Sequence, residues 1–147
     1  GGLWGIAAGD RVASARRALV AFARAVVRLD AEPIERALAP RVTMARGGAV
    51  VGRLDARRAV DRQIEGLARL SRAANVSIEL TTVEVLDLDA ARQTEREIAA
   101  TATSGDVVGR AIVRVPVNAP ARAPQSVELK VLLRWTSGGW RIVALAI

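Results

Sequence analysis

The chain contains no cysteine, no histidine and no tyrosine. The first absence excludes disulfides, thiolate nucleophiles and cysteine-ligated metal. The second removes the side chain that most often serves as acid and base near neutral pH, and the commonest zinc ligand. The third removes a phenol that could donate to a developing oxyanion. Aromatic residues make up only 3% of the chain, one phenylalanine and three tryptophans, beside a single methionine. Only aspartate and glutamate remain for proton transfer, and no metal or other cofactor is expected. Residues 1–9, G-G-L-W-G-I-A-A-G, are apolar but far shorter than the ~20 residues a bilayer span needs.

At 147 residues the chain fits one domain, over residues 10–147. Residues 1–9 read as a flexible lead-in. Leu3, Trp4 and Ile6 within it suggest the remnant of a signal peptide or membrane anchor. The expected setting is therefore exported or membrane-anchored in a bacterium, with the cytoplasm as runner-up. Contact with a membrane is expected only through such an anchor. Of 22 basic residues all but Lys130 are arginine, and the net charge is +7. Residues 1–75 hold fourteen arginines against seven acids, whereas residues 76–147 are neutral, with eight of each sign. This asymmetry fits either a basic surface for anions or arginine-rich solvated helix faces written by a GC-rich genome. With so few aromatic residues to stack on bases, no nucleic-acid partner is expected.

Residues 126–147 carry the clearest pattern. Val127, Leu129, Val131, Leu133 and Trp135 alternate with Glu128, Lys130 and Arg134, Leu132 being the exception. That period predicts a half-buried strand. Ser137-Gly138-Gly139 predicts a tight turn, and the apolar run 140–147 returns along the first strand. Upstream, Val12, Leu19, Phe22, Ala23, Val26 and Leu29 recur at helical spacing over residues 10–30. Glu32-Pro33 opens a short helix that buries Ile34, Ala37 and Leu38 and stops at Pro40. Residues 42–51 read as two short strands about Arg46-Gly47-Gly48. Asp55 is expected to cap a third helix reaching about Arg72, with Val60, Ile64 and Leu67 inward. Residues 76–87 and 107–117 read as strands. Residues 90–103 join a helix-forming half to a β-like half, and a strand from about Glu95 is expected. Pro116, Pro120 and Pro124 mark a loop. Asn75-Val76-Ser77 matches a glycosylation sequon and is read as chance. Helices first and antiparallel strands last make an α+β domain.

Three segments carry a family resemblance. They are L-A-P-R-V-T-M at 38–44, G-R-L-D-A at 52–56 and L-R-W-T-S-G-G-W-R-I-V at 133–143. With the element order, they resemble the NTF2-like superfamily, which includes SnoaL-like polyketide cyclases, ketosteroid isomerases and scytalone dehydratase. The resemblance covers roughly residues 11–147. It implies an NTF2-like cone, in which three N-terminal helices pack in a strongly curved mixed or antiparallel sheet of five to six strands. It also implies a pocket at the open end and a homodimer through the outer sheet face. It does not choose an activity, because this fold hosts many. Many members carry an acid shortly after the second helix, in an A-x-D-V type pattern. Here Ala39-Pro40-Arg41-Val42 puts Arg41 in its place, and no catalytic residue is carried over.

Asp61 and Glu65 on the third helix and Glu84 on a strand are the carboxylate candidates, and Glu84 ranks first, because its parity with Ile78 and Leu80 aims it into the cone. There an apolar setting would raise its pKa and make it a base. A bulge, or an arginine on the next strand, would instead hold it outside. Phe22, Val26, Met44, Ile64, Val113, Leu133 and Trp135 are the expected pocket lining, and core filling is the competing role for such side chains. Arg114 and Arg134 are expected on the outer face. The leading expectation is a non-catalytic domain that binds a small apolar or amphipathic ligand in the cone, or serves as an interaction module. The alternatives are an isomerase or dehydratase using one buried carboxylate, and a binder of anionic surfaces through the arginine-rich helices.

Overall fold

The first apolar stripe winds as helix α1, Ala8–Val27, in a computed structural model that describes residues 8–117 and 125–147. The lead-in before Ala8 and the A-P-A-R-A-P loop lie outside the described residues. Leu19, Phe22, Ala23 and Val26 of α1 are each at most 1% exposed. Helix α2, Ala31–Ala37, takes Pro33 in its first turn, where a missing N–H costs nothing. Pro40 does not end it. Strand β1, Leu38–Met44, already contains that proline. The ladder tolerates Pro40 because neither neighbouring strand pairs with it: one side pairs at Leu38 and again from Thr43, the other only from Arg41. Gly47 and Gly48, both at positive φ, turn the chain into β2, Val50–Gly52. Helix α3, Arg53–Ala74, is preceded by Gly52 at its cap, and Asp55 stands inside the first turn beside Arg58 instead of capping it. There its charge favours the positive end of the helix dipole. Asn75 of the sequon closes α3 in the left-handed conformation, with φ 54°.

The remaining strands are β3, Glu79–Asp87; β4, Val107–Arg114; β5, Ser126–Thr136; and β6, Gly139–Ala146. Among the described residues six strands form one sheet in the order β2-β1-β6-β5-β4-β3. β1 runs parallel to β6, and every other neighbour is antiparallel. An extra residue at Thr81 in β3 and another at Val143 in β6 bend the layer. Its inner face packs on α1, α2 and α3 around Leu19, Phe22, Ile34, Ile64, Val131 and Leu133. β4 approaches α1 so closely that a Cβ on Gly109 would lie 2.9 Å from a methyl carbon of Leu19. Any side chain there would force the buried Leu19 and Val131 side chains to shift.

The strand expected from Glu95 is instead two short helices, α4, Leu88–Thr94, and α5, Arg96–Ala99. Asp87 caps α4 by accepting the Ala90 N–H at 2.8 Å. The reason lies on the far side of the sheet. Ala91, Ile98 and Ala99 bury against Val108, Leu132 and Ala144, forming a second small core on the outer face. The pattern A-A-R-Q-T-E-R-E-I-A-A thus forms helix on both sides of a break at Glu95, once its apolar residues have a surface to cover. This segment occupies part of the outer face expected to carry a homodimer contact.

Candidate binding groove

Where α5 meets the sheet, the two layers leave an open hollow of about 560 Å³. One side is the middle of α3, with Gln63, Gly66 and Leu67. The other is the start of β5 and the α4–α5 junction, with Val127, Lys130, Glu95 and Ile98. Ile147, just past β6, closes one end. Leu67 and Ile98 are buried beneath it, so the hollow has an apolar floor and a polar rim.

The rim is a chain of opposite charges. Lys130 Nζ lies 2.8 Å from Glu95 Oε2 and 3.3 Å from Glu128 Oε1. Glu128 Oε2 accepts from Arg110 Nε at 2.6 Å, and Arg110 reaches Glu84 at 3.3 Å. Burial works against the charge on Glu128, but bonds from Arg110 and Lys130 outweigh it and hold the carboxyl below its usual range. The bond to Glu95 leads the causes that push Lys130 above the usual lysine value, against burial. Lys130 is therefore held as an ammonium ion and is no nucleophile near neutral pH.

These shifts give the groove a pH signature. Glu128, with its depressed folded pKa, adds stability that is complete above the ordinary value of 4.5 and is lost as pH falls through the folded one. Lys130, with its raised pKa, adds stability that is complete below its ordinary value and is lost as pH rises through the folded one. Both side chains keep about a third of their surface in water, so each contribution is only about 0.5–1 kcal/mol. Lys130→Met is expected to flatten the acid limb of a urea-midpoint profile and remove the lysine share of the alkaline limb. An unchanged profile would reject this assignment.

The sequence candidates fall elsewhere. Glu84 is exposed on the outer face, opposite Arg110. The irregular step between Leu80 and Thr82 reverses its parity relative to Ile78 and Leu80, which corrects the expectation that it points into the cone. Phe22, Val26, Ile64, Val113 and Leu133 are brought together, but as packed core, each at most 1% exposed. Met44 packs half-buried against them. Trp135 does not join them. It is 61% exposed at the end of the β5–β6 hairpin, edge-on to Trp140 with ring centres 5.6 Å apart. Trp140 is the anchored one, donating from Nε1 to Ser14 Oγ at 2.9 Å with the Arg11 guanidinium over its ring. Arg134 pairs with Asp106 at 2.9 Å. Among the arginines of the helical half, Arg36, Arg57, Arg58 and Arg69 sit beside carboxylates of the helices themselves.

Glu95, Lys130 and Gly66 are the groove residues that sequence reasoning passed over. Gly66 left a signal, as an isolated glycine inside a helical pattern. Glu95 left none, because its stretch was expected to be strand. Among the described residues, no three acids are grouped to hold a metal ion, and no helix is long and apolar enough to cross a membrane.

Neither a protein-family model nor a curated protein matches this sequence. Solved structures do. A Kribbella flavida protein aligns over 95% of this chain and 90% of its own, with 15% identity and a TM-score of 0.53. A protein with a cystatin-like fold from Nostoc punctiforme aligns over 96% and 91%, with 10% identity and a TM-score of 0.51. A candidate dehydratase of the NTF2-like family from Streptomyces avermitilis aligns over 92% of each chain, with 20% identity and a TM-score of 0.51. At such identities the likeness speaks for architecture and not for chemistry. Three helices held against the inner face of a bent six-stranded mixed sheet, together with these neighbours, give this chain the NTF2-like fold.

Proposed function

We propose that the domain is a non-catalytic binding module whose ligand lies in the groove between α3, α5 and the start of β5. The observation that carries this reading is Gly66. It sits in the interior of α3, where glycine costs about 0.5–1 kcal/mol relative to alanine. A Cβ built there meets nothing within 4 Å, so packing supplies no reason for the glycine. The residue faces the groove, and its missing side chain lets a ligand approach the helix backbone. The apolar floor and self-compensated charged rim suit an amphipathic ligand, and the charged groups are already engaged with one another.

The reading makes paired predictions for one position. Gly66→Ala should raise stability by about 0.5–1 kcal/mol in urea titration. Gly66→Trp should fold equally well and fill the groove. Nuclear magnetic resonance titration of the whole chain with the amphipathic probe 8-anilinonaphthalene-1-sulfonate should shift Leu67, Ile98, Val127 and Ile147. The same titration of Gly66→Trp should leave them still. Shifts gathered at another surface, or unchanged by Gly66→Trp, overturn the proposal.

The carboxylate-enzyme alternative has a better residue in Glu95 than in Glu84, since the Glu95 side chain is only 13% exposed and lines the groove. Its bond to a lysine held charged suits an electrostatic anchor more than a base.

A further inference from the structure

We infer that the domain has a second site, a small cleft at the ends of α1 and α3 that holds a carboxylate carried on an aliphatic chain, as in a medium-chain fatty acid. It is separate from the groove, and the two share no lining residue. The observation is a leucine where the backbone asks for glycine. Helix α1 ends in a Schellman motif, with the Leu29 N–H on the Val26 carbonyl and the Asp30 N–H on the Ala25 carbonyl, both at 3.0 Å. That closure puts Leu29 in the left-handed region, at φ 55°. Helix α3 closes in the same way, but there the position holds Asn75, a residue that tolerates the conformation. Leucine has no polar side-chain atom with which to ease the strain. Burial does not offset it either, since Leu29 is 46% exposed.

Leu29 lines a cleft of about 280 Å³ between α1, α3 and the residues that lead into β3. Val27, Ala68 and Ile78 make it apolar, and the exposed Arg28 and Arg72 supply its charge. Among the described residues no acid lines the cleft, and neither guanidinium has a carboxylate partner. Arg36, Arg57, Arg58 and Arg69 of the same helical half all have one. The negative end of a helix dipole accounts for an arginine near each C-terminus. It does not account for a strained, wet leucine beside them.

Backbone strain held without a packing reason points to a task at that position. The surroundings select the ligand. Arginine matches a carboxylate with paired, charge-assisted bonds. The apolar lining and the Leu29 side chain suit methylene groups. At 280 Å³ the cleft falls below the ~300–1,000 Å³ of drug-sized pockets, so the aliphatic body is small.

The test titrates the whole chain with octanoate, followed by nuclear magnetic resonance. Binding should saturate and shift Val27, Ala68 and Ile78. Octan-1-ol keeps the aliphatic body and loses the charge, so it should bind about tenfold more weakly or worse. Arg28→Gln and Arg72→Gln should each weaken octanoate by about tenfold and leave octan-1-ol unchanged. Leu29→Gly should raise the urea midpoint, because glycine takes up the left-handed conformation freely, and should still weaken octanoate. A leucine kept for packing alone would do the reverse, its loss lowering the midpoint and sparing the affinity. No octanoate binding, shifts confined to the groove, equal affinity for the two probes, or undiminished binding by Leu29→Gly overturns the inference. The groove reading is untouched by any of these results, since it is tested by its own probe at its own residues.

Discussion

Phe22→Ala is expected to lower stability by about 3–5 kcal/mol, the range for emptying an aromatic position in a packed core. Phe22 is the chain's one phenylalanine and is 1% exposed. It sits among buried residues of α1, α3 and the inner sheet face. Had it lined an open ligand pocket, much of its ring would already face solvent, and its removal would cost far less. Urea unfolding therefore distinguishes a filled interior from a hollow one. The lost volume should leave a dry apolar void able to take up xenon, and probe binding at the groove should survive. A loss below about 1 kcal/mol would show that the interior is not packed as described.

Asp106→Ala is expected to cost about 2–4 kcal/mol, read as a fall in Tm of about 5–12 °C. Asp106 is the one buried charged residue among those described, at 2% exposure, and its carboxylate is fully engaged. Arg134 donates from Nε and from a terminal nitrogen at 3.0 and 2.9 Å. The Thr103 N–H donates at 2.9 Å. Alanine strands these donors, although Arg134 is 37% exposed and regains water, which holds the cost below that of a fully buried pair. Asp106→Asn keeps the shape and loses the charge, so it should cost about half as much. The same loop accepts a bond from Arg11 at the Gly105 carbonyl, tying the start of α1 to the entry of β4. Equal, near-zero effects of the two substitutions would mean the loop is held by other means.

Much of the fold was legible because its periods are strong. The stripe through Leu19, Phe22 and Val26, the stripe through Val60, Ile64 and Leu67, and the alternation through Val127 to Leu133 each name a buried face directly. What stayed hidden depended on a second element. Parity placed Glu84 inward until one irregular step in β3 reversed it. It placed Trp135 on the same side as Leu133, but a face says nothing about whether a helix covers that part of it. Residues 90–103 looked divided because no outer-face core could be foreseen for Ile98 and Ala99. The Asp106–Arg134 pair joins residues 28 positions apart, which no local pattern announces. Gly66 was visible all along, but its meaning required seeing the empty space beside it.

The place of β6 in the strand order has a bearing on how the chain is made. β6 joins the small β1–β2 ribbon to the β3–β4–β5 meander, and among the described residues no other strand bridges those two parts. Until it emerges from the ribosome, the earlier segments can form only two separate ribbons with helices waiting beside them. Assembly should thus be late and slowed by the distant β1–β6 closure, in the manner of topologies rich in long-range pairing.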